Sequence, residues 1–149
     1  MDALILQVSK RRCAIALRQV REVLPAVAIH ELPGAPRGIE GVVNVRGEVI
    51  PVVGLSEHLG GRSTEVIPSE YFVLAECNGR RMILRSETLP SLSELPDPAE
   101  DRAGTTRAAL AAVRPLDDGL VLVQHLEVLL DDDRAARLGE LVASTGQRA

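Results

Sequence analysis

The stretch from residue 39 to 55 narrows the possible folds more than any other part of the chain. It reads strand, turn, strand: Val42, Val43 and Val45 precede Arg46-Gly47, and Val49, Ile50, Val52 and Val53 follow it. β-Branched residues at this density favour a pleated surface over a helix. Near-continuous Val and Ile imply strands buried on both faces. Pro51 has no N–H to donate, so a bulge or a strand edge is expected there. The same rhythm recurs elsewhere. Residues 4–8 and 11–17 flank a polar turn at Ser9-Lys10, with Cys13, Ile15 and Leu17 on one face. Residues 71–77 and 80–84 flank Asn78-Gly79, the pair best suited to a two-residue type I′ hairpin turn.

The remaining segments are shorter. Residues 20–24 fit either a helical turn or a strand, and 27–29 form a further strand candidate. Two prolines and two glycines make 33–38 a loop. Residues 56–59 can form a short helix that Gly60-Gly61 ends. Residues 96–104, polar and proline-containing, read as a mobile loop. A late strand covers 120–123. An amphipathic helix covers 131–144, its N-terminus favoured by Asp131, Asp132 and Asp133 through the helix dipole. Its Leu138, Leu141 and Val142 recur at helical spacing and should dock on the body. Many short strands without a βαβ rhythm imply small antiparallel barrels with one terminal helix.

A chain of 149 residues fits one domain, or two small subdomains sharing a core. The apolar fraction is 46%, yet Tyr71 and Phe72 are its only aromatic residues, so the core must be aliphatic. Sites for single-stranded nucleic acid stack bases on aromatic rings, and this chain has almost none. Its net charge of −4 likewise opposes general nucleic-acid binding. Lys10-Arg11-Arg12 and Arg80-Arg81 are local exceptions beside expected hairpin turns. Cys13 and Cys77 sit inside apolar runs and read as core residues of a reducing compartment. The start Met1-Asp2-Ala3-Leu4-Ile5-Leu6 lacks the basic residues of a signal peptide. No apolar run approaches the roughly 20 residues of a membrane span. The expectation is a cytoplasmic protein without membrane insertion.

A search for chemistry returns little. There is no phosphate-binding glycine loop and no G-x-S-x-G elbow. His30, His58 and His125 stand apart, none at metal-ligand spacing, and surface or strand-end placement is expected for them. The run Asp131-Asp132-Asp133 is better explained as a helix cap than as a metal site. No catalytic residue, cofactor or metal is expected. What stands out is Arg46, an always-charged fork on a glycine-bearing turn between two rigid strands.

The segment Gly41-Val42-Val43-Asn44-Val45-Arg46-Gly47-Glu48-Val49-Ile50-Pro51-Val52-Val53-Gly54-Leu55 resembles the signature of the CheW family, roughly G-V-x-N-L-R-G-x-V-I-P-V-x-D-L. Upstream, Ala14-Ile15-Ala16-Leu17 and Val20-Arg21-Glu22-Val23 resemble the family's Y-x-I-x-x-x-x-V-x-E-V run, and Leu32-Pro33-Gly34-Ala35-Pro36 its l-P-x-x-P loop. Downstream, residues 118–123 and 127–130 resemble the closing strand and short helix. The likeness is strong over 20–55 and weak over 79–119. It implies a mainly β fold: two small five-stranded, SH3-like barrels around a shared aliphatic core, with 131–149 as a C-terminal helix and tail. It also implies a non-catalytic adaptor between methyl-accepting chemoreceptor tips and the regulatory domain of a histidine kinase, recruited to receptor clusters. The residues expected to bind partners are Arg46, Asn44, Glu22, Val20, Val45 and Val49. Gly41, Gly47 and Pro51 are expected to shape the turn.

The chain departs from the family pattern at Gly54, where the family has Asp, and at His125-Leu126, where Leu-Asp is common. It departs again at Met82-Ile83-Leu84-Arg85-Ser86-Glu87-Thr88-Leu89, which lacks the family's v-G-l-x-V-D-x-V. That run is assigned to the second barrel, where Arg85, Ser86 and Glu87 would interrupt an apolar strand that meets the kinase. Two further readings stay open: a half-adaptor that keeps receptor binding alone, and a small ligand-binding barrel or enzyme, which would need a convergent polar pocket.

Overall fold

The computed structural model describes residues 1–95, 110–116 and 119–146. The loop expected over 96–104 lies outside them. The strands are β1 (Asp2–Val8), β2 (Arg11–Ala16), β3 (Val20–Pro25), β4 (Ile39–Val45), β5 (Glu48–Val53), β6 (Tyr71–Cys77), β7 (Arg80–Ser86), β8 (Ser91–Glu94), β9 (Leu110–Leu116) and β10 (Gly119–Gln124). The helices are α1 (Leu55–His58), α2 (Leu126–Leu129) and α3 (Asp132–Gly146), and a 3₁₀ turn at Leu17–Gln19 links β2 to β3.

Two five-stranded sheets result, ordered β8-β1-β2-β10-β9 and β3-β6-β7-β5-β4. Three of the two-residue hairpin turns have the expected left-handed backbone: φ is 49° and 64° at Ser9-Lys10, 49° and 87° at Arg46-Gly47, and 54° and 75° at Asn78-Gly79. Two expectations need correction. The sheets are mixed, because β10 runs parallel to β2 and β5 parallel to β7. Also, β7 belongs to the same sheet as β3, β4 and β5, so residues 82–86 share a barrel with the signature hairpin.

The second sheet closes on itself. Its edges are β3 and β4, yet the chain leaving β3 crosses to β4, where His30 and Val42 exchange two backbone hydrogen bonds of 2.9 Å. The strand expected at 27–29 is therefore a single bridge at His30. This crossing explains Gly41. It is not a turn residue but part of β4, next to a register shift, and a Cβ there would overlap the His30 carbonyl oxygen. Pro51 is likewise inside β5 rather than in a turn or bulge. Pairing with β7 begins only at Val52, so Pro51 withholds no N–H from that ladder.

The core falls into three apolar clusters that follow strand alternation. Ala3, Ile5, Ala14, Val121 and Val123 fill the first barrel. Val43, Ile50, Val52, Phe72, Leu74 and Ile83 fill the second. Leu4, Leu6, Cys13 and Ile15 meet Val53, Val73, Ala75, Met82 and Leu84 in a shared layer between them. Burial on both faces thus belongs to β1, β2, β6, β7 and the end of β5 at Val52 and Val53. The signature strand β4 alternates instead, and Val49 of β5 is 47% exposed.

α2 and α3 cover one side of the shared layer through Leu126, Leu129, Leu130 and Leu138, with Leu141 and Val142 packed against it. Asp131 accepts a 2.9 Å bond from the Arg134 N–H, capping α3 as its acidic start implies. Among the described residues no helix is long and apolar enough to cross a membrane. Both cysteines are free thiols. Cys13 is fully buried, and burial pushes its thiol up to about 12; Cys77 is only partly buried.

Candidate partner-binding surface

The β4–β5 turn holds Arg46 in place from three sides. The Asn44 side-chain oxygen accepts the Gly47 N–H at 2.8 Å, which locks the turn. Arg46 itself sits at φ 49°, a conformation that costs a residue with a Cβ roughly 1–2 kcal/mol. Gly47, at φ 87°, has open space around it, so its requirement is backbone freedom and not room. A strained arginine where asparagine or glycine would be easier is a pointer to function rather than to stability.

Glu22 supplies the third hold. A register shift between Val20 and Glu22 re-aims β3 at this end. Arg46 then forks onto the Glu22 carboxylate, with Nη2 to Oε1 at 2.6 Å and Nη1 to Oε2 at 3.2 Å. The fork links the two edge strands of the sheet, so it lies across the end of the closed barrel. The hydrogen bonds from Arg46 hold the Glu22 carboxyl below the usual range, and Glu22 raises Arg46 in turn. Arg46 stays 66% exposed in its side chain. Of its five N–H donors the fork uses two, and among the described residues no other partner takes the rest.

Further charges continue the line. Arg81 donates to Glu48 at 2.8 Å and to Glu76 at 3.1 Å, and Arg21 lies 3.6 Å from Glu76. Cations and anions alternate across this end of the barrel: Arg46 with Glu22, Arg81 with Glu48 and Glu76, and Arg21 with Glu76.

The three expected valines do not gather around Arg46. Val45 packs against the core of its own barrel. Val49 is registered opposite Asn44 while Val45 is opposite Glu48, so the two point to opposite faces of the hairpin. Val20 packs against the shared layer. Val49 instead joins Val42, Pro51, Leu130, Leu138 and Val142 in an apolar groove beneath α3, rimmed by Glu48, Arg80 and Arg81. Sequence reading found the docking face of α3 but not that its flank and the outer face of the signature hairpin make one groove.

The Arg85-Ser86-Glu87 run also differs from expectation. Arg85 turns inward, its side chain 12% exposed. It donates to Glu70 at 2.9 and 3.0 Å, to Glu40 at 2.5 Å, and to the backbone oxygen of Thr64 at 2.7 Å. Ser86 is fully buried, accepting the Gln7 N–H at 3.1 Å and donating to the Thr88 carbonyl at 2.7 Å. These residues tie loop 60–70 and β1 to β7; they do not break an apolar docking strand. The sequence signal for this was available, since a lone arginine in an apolar strand needs buried acids nearby.

Among the described residues no three His, Cys, Asp or Glu side chains gather as a metal site. His58 was expected at the surface. It is half-buried in α1 with its Nε2 enclosed, and burial together with Arg134 pulls its pKa below the ordinary value.

Comparison with known proteins follows this geometry. A profile of the CheW-like domain family matches residues 2–134. The chain belongs to the CheW-like domain family. A curated relative, the chemotaxis protein CheW of Rhizobium meliloti (strain 1021), is 33% identical over 66 residues. That match covers 44% of this chain and 41% of the relative, so it spans less than half the relative's length. The crystal structure of the scaffolding protein TtCheW from Thermoanaerobacter tengcongensis superposes with a TM-score of 0.74 at 20% identity. It covers 89% of this chain and 94% of that one, and at this identity it speaks for the fold. The family match spans the paired five-stranded barrels of this CheW-like chain and ends within the first turn of α3.

Proposed function

We propose that this CheW-like chain is a non-catalytic adaptor that couples the cytoplasmic tips of methyl-accepting chemoreceptors to the regulatory domain of a chemosensory histidine kinase. It would act in the cytoplasm, gathered into receptor clusters. The observation that carries this reading is the Arg46–Glu22 fork. It costs backbone strain, it is exposed, and it leaves oriented donors facing solvent, which suits recognition of a carboxylate or a carbonyl at a helix end. The groove beneath α3, apolar with a charged rim, supports docking of a helical partner. The inward turn of Arg85 and Ser86 removes the reason for expecting kinase binding to be lost, so coupling of both partners is favoured over the half-adaptor.

The test separates folding from binding. Arg46→Ala should change stability by less than about 0.5 kcal/mol, since exposed ion pairs contribute little. Its affinity for a purified receptor tip should fall clearly in a calorimetric titration. Arg46→Lys keeps the charge but not the fork, and should also weaken binding. Unchanged receptor affinity in both variants would overturn the assignment of Arg46. Failure of the native chain to bind either receptor tip or kinase domain would overturn the adaptor reading itself.

A further inference from the structure

A second surface stands apart from Arg46. Lys10, Arg11 and Arg12 on the β1–β2 turn, His58 and Leu59 around α1, and Gly119, Leu120 and Leu122 of β10 line an open cleft. Its strand residues belong to the sheet that lacks the signature hairpin, and none of the lining residues is part of the groove beneath α3.

Its cations differ from the paired arginines elsewhere, where Arg46 faces Glu22, Arg80 faces Asp132, Arg81 faces Glu48 and Glu76, Arg85 faces Glu40 and Glu70, and Arg134 faces Asp131. At the cleft, Arg11 donates to the Leu59 carbonyl at 3.1 Å, and no described carboxylate forms an ion pair with Arg11 or with Lys10. Arg12 is engaged within the protein, its guanidinium lying across Gly119. Glu87 approaches only the backbone N–H of Lys10, at 3.5 Å. Between the cations Leu120 is 63% exposed, on the same face of β10 as Leu122. Among the described residues, Lys10 and Arg11 thus stand without an ion-paired carboxylate in a cleft that also holds an exposed leucine.

We propose that this cleft docks an acidic amphipathic segment of a protein partner, with its carboxylates on Lys10 and Arg11 and its apolar side chains on Leu59 and Leu120. Cations beside an apolar floor match a helix that carries leucines on one stripe and glutamates beside it. Uncompensated charge of this kind steers encounter with an opposite charge and weakens as salt rises. The leucine floor favours a peptide over a nucleic-acid strand, which would stack on rings this cleft does not have.

The probe is a fluorescein-labelled helical peptide with leucines at i, i+4 and i+7 and glutamates flanking them. Its controls are the same peptide with lysines for glutamates, and an oligo(dT) of similar charge. Anisotropy titration of the full chain should show binding of the glutamate peptide alone, weakening with added salt. Lys10→Glu/Arg11→Glu should lose about tenfold or more. Leu120→Ser should also lose affinity, and both variants should keep the native circular-dichroism spectrum and melting curve. Arg46→Ala should bind the peptide as the native chain does, which separates this cleft from the adaptor surface. No binding of the glutamate peptide, equal binding of oligo(dT), or unchanged affinity in the charge-reversed variant would each overturn the proposal.

Discussion

Replacing Arg85 with methionine should destabilise the protein by about 3–5 kcal/mol, because it strands two buried carboxylates without a counter-charge. The side chains of Glu40 and Glu70 are 9% and 5% exposed, and Arg85 is the cation bonded to both. Burial already pushes the Glu40 carboxyl above the usual range, and Arg85 pulls against that rise. Without Arg85, Glu40 should titrate higher still. An acid whose folded pKa lies above its unfolded one favours the fold while protonated, and that contribution is lost as pH rises through the folded pKa. The deficit of Arg85→Met should therefore be largest at neutral pH and shrink as pH falls towards the ordinary carboxylate value near about 4.3. Urea unfolding of the native and variant chains at several pH values measures this. Arg85→Met/Glu40→Gln/Glu70→Gln should recover much of the loss at pH 7. A deficit that does not change with pH would mean that Arg85 acts by packing and not by charge.

Phe72→Ala should have a comparable effect for a different reason. Phe72 is 1% exposed and is the largest side chain in the second barrel's interior, against Val43, Ile50, Val52, Leu74 and Ile83. A ring removed from an aliphatic barrel cannot be replaced by collapse of short, β-branched neighbours, so a cavity should remain. Losses for such substitutions run to about 3–5 kcal/mol, a large share of a small domain's stability. Phe72→Leu conserves more volume and should cost below about 1.5 kcal/mol. Tyr71, its neighbour, lies on the other face of β6 and is only partly buried, so Tyr71→Ala is the control. If Phe72→Ala and Tyr71→Ala shift the denaturant midpoint equally, the ring is not the plug of that barrel.

The hairpins were legible because their turns carry local chemistry. Asn78-Gly79, Ser9-Lys10 and Arg46-Gly47 state their own conformation, and Tyr71–Cys77 ends where the first of these turns begins. What was not legible depends on strands far apart in sequence. The parallel pairing of β5 with β7 and of β2 with β10 has no local signature, so the sheets read as wholly antiparallel. The same gap put β7 in the wrong barrel. Two-sided burial holds on the valine-rich hairpin only at Val52 and Val53 of β5 and not along β4, because Val is common both in central strands and on half-covered ones. Only the sheet order shows that β4 is an edge strand while β5 is an inner one. At the site, Arg46 was reachable from residue type on a glycine-bearing turn, and Asn44 and Glu22 through the resemblance to the family signature. The grouping of Val49 with Leu138 and Val142 was not, because it joins β5 to a helix near the chain end.

The order of strands along the chain has a consequence for synthesis. β3 to β7 run without interruption and complete one barrel, whereas the other is divided, with β1 and β2 at the start and β8 to β10 near the end. On a ribosome the closed unit can assemble as soon as residue 86 is clear, through the β4–β5 and β6–β7 hairpins and the longer-range pairing of β3 with β6. The opening hairpin must wait, with the edge of β2 unpaired until Leu122 reaches Cys13. During that interval it is covered by the layer it shares with the finished barrel and, once residue 94 has emerged, by β8 along β1. A chain stalled or cut before β10 should therefore hold a native signature hairpin on a half-built, adhesive partner sheet, and should be cleared by chaperones or proteases rather than accumulate as a working fragment.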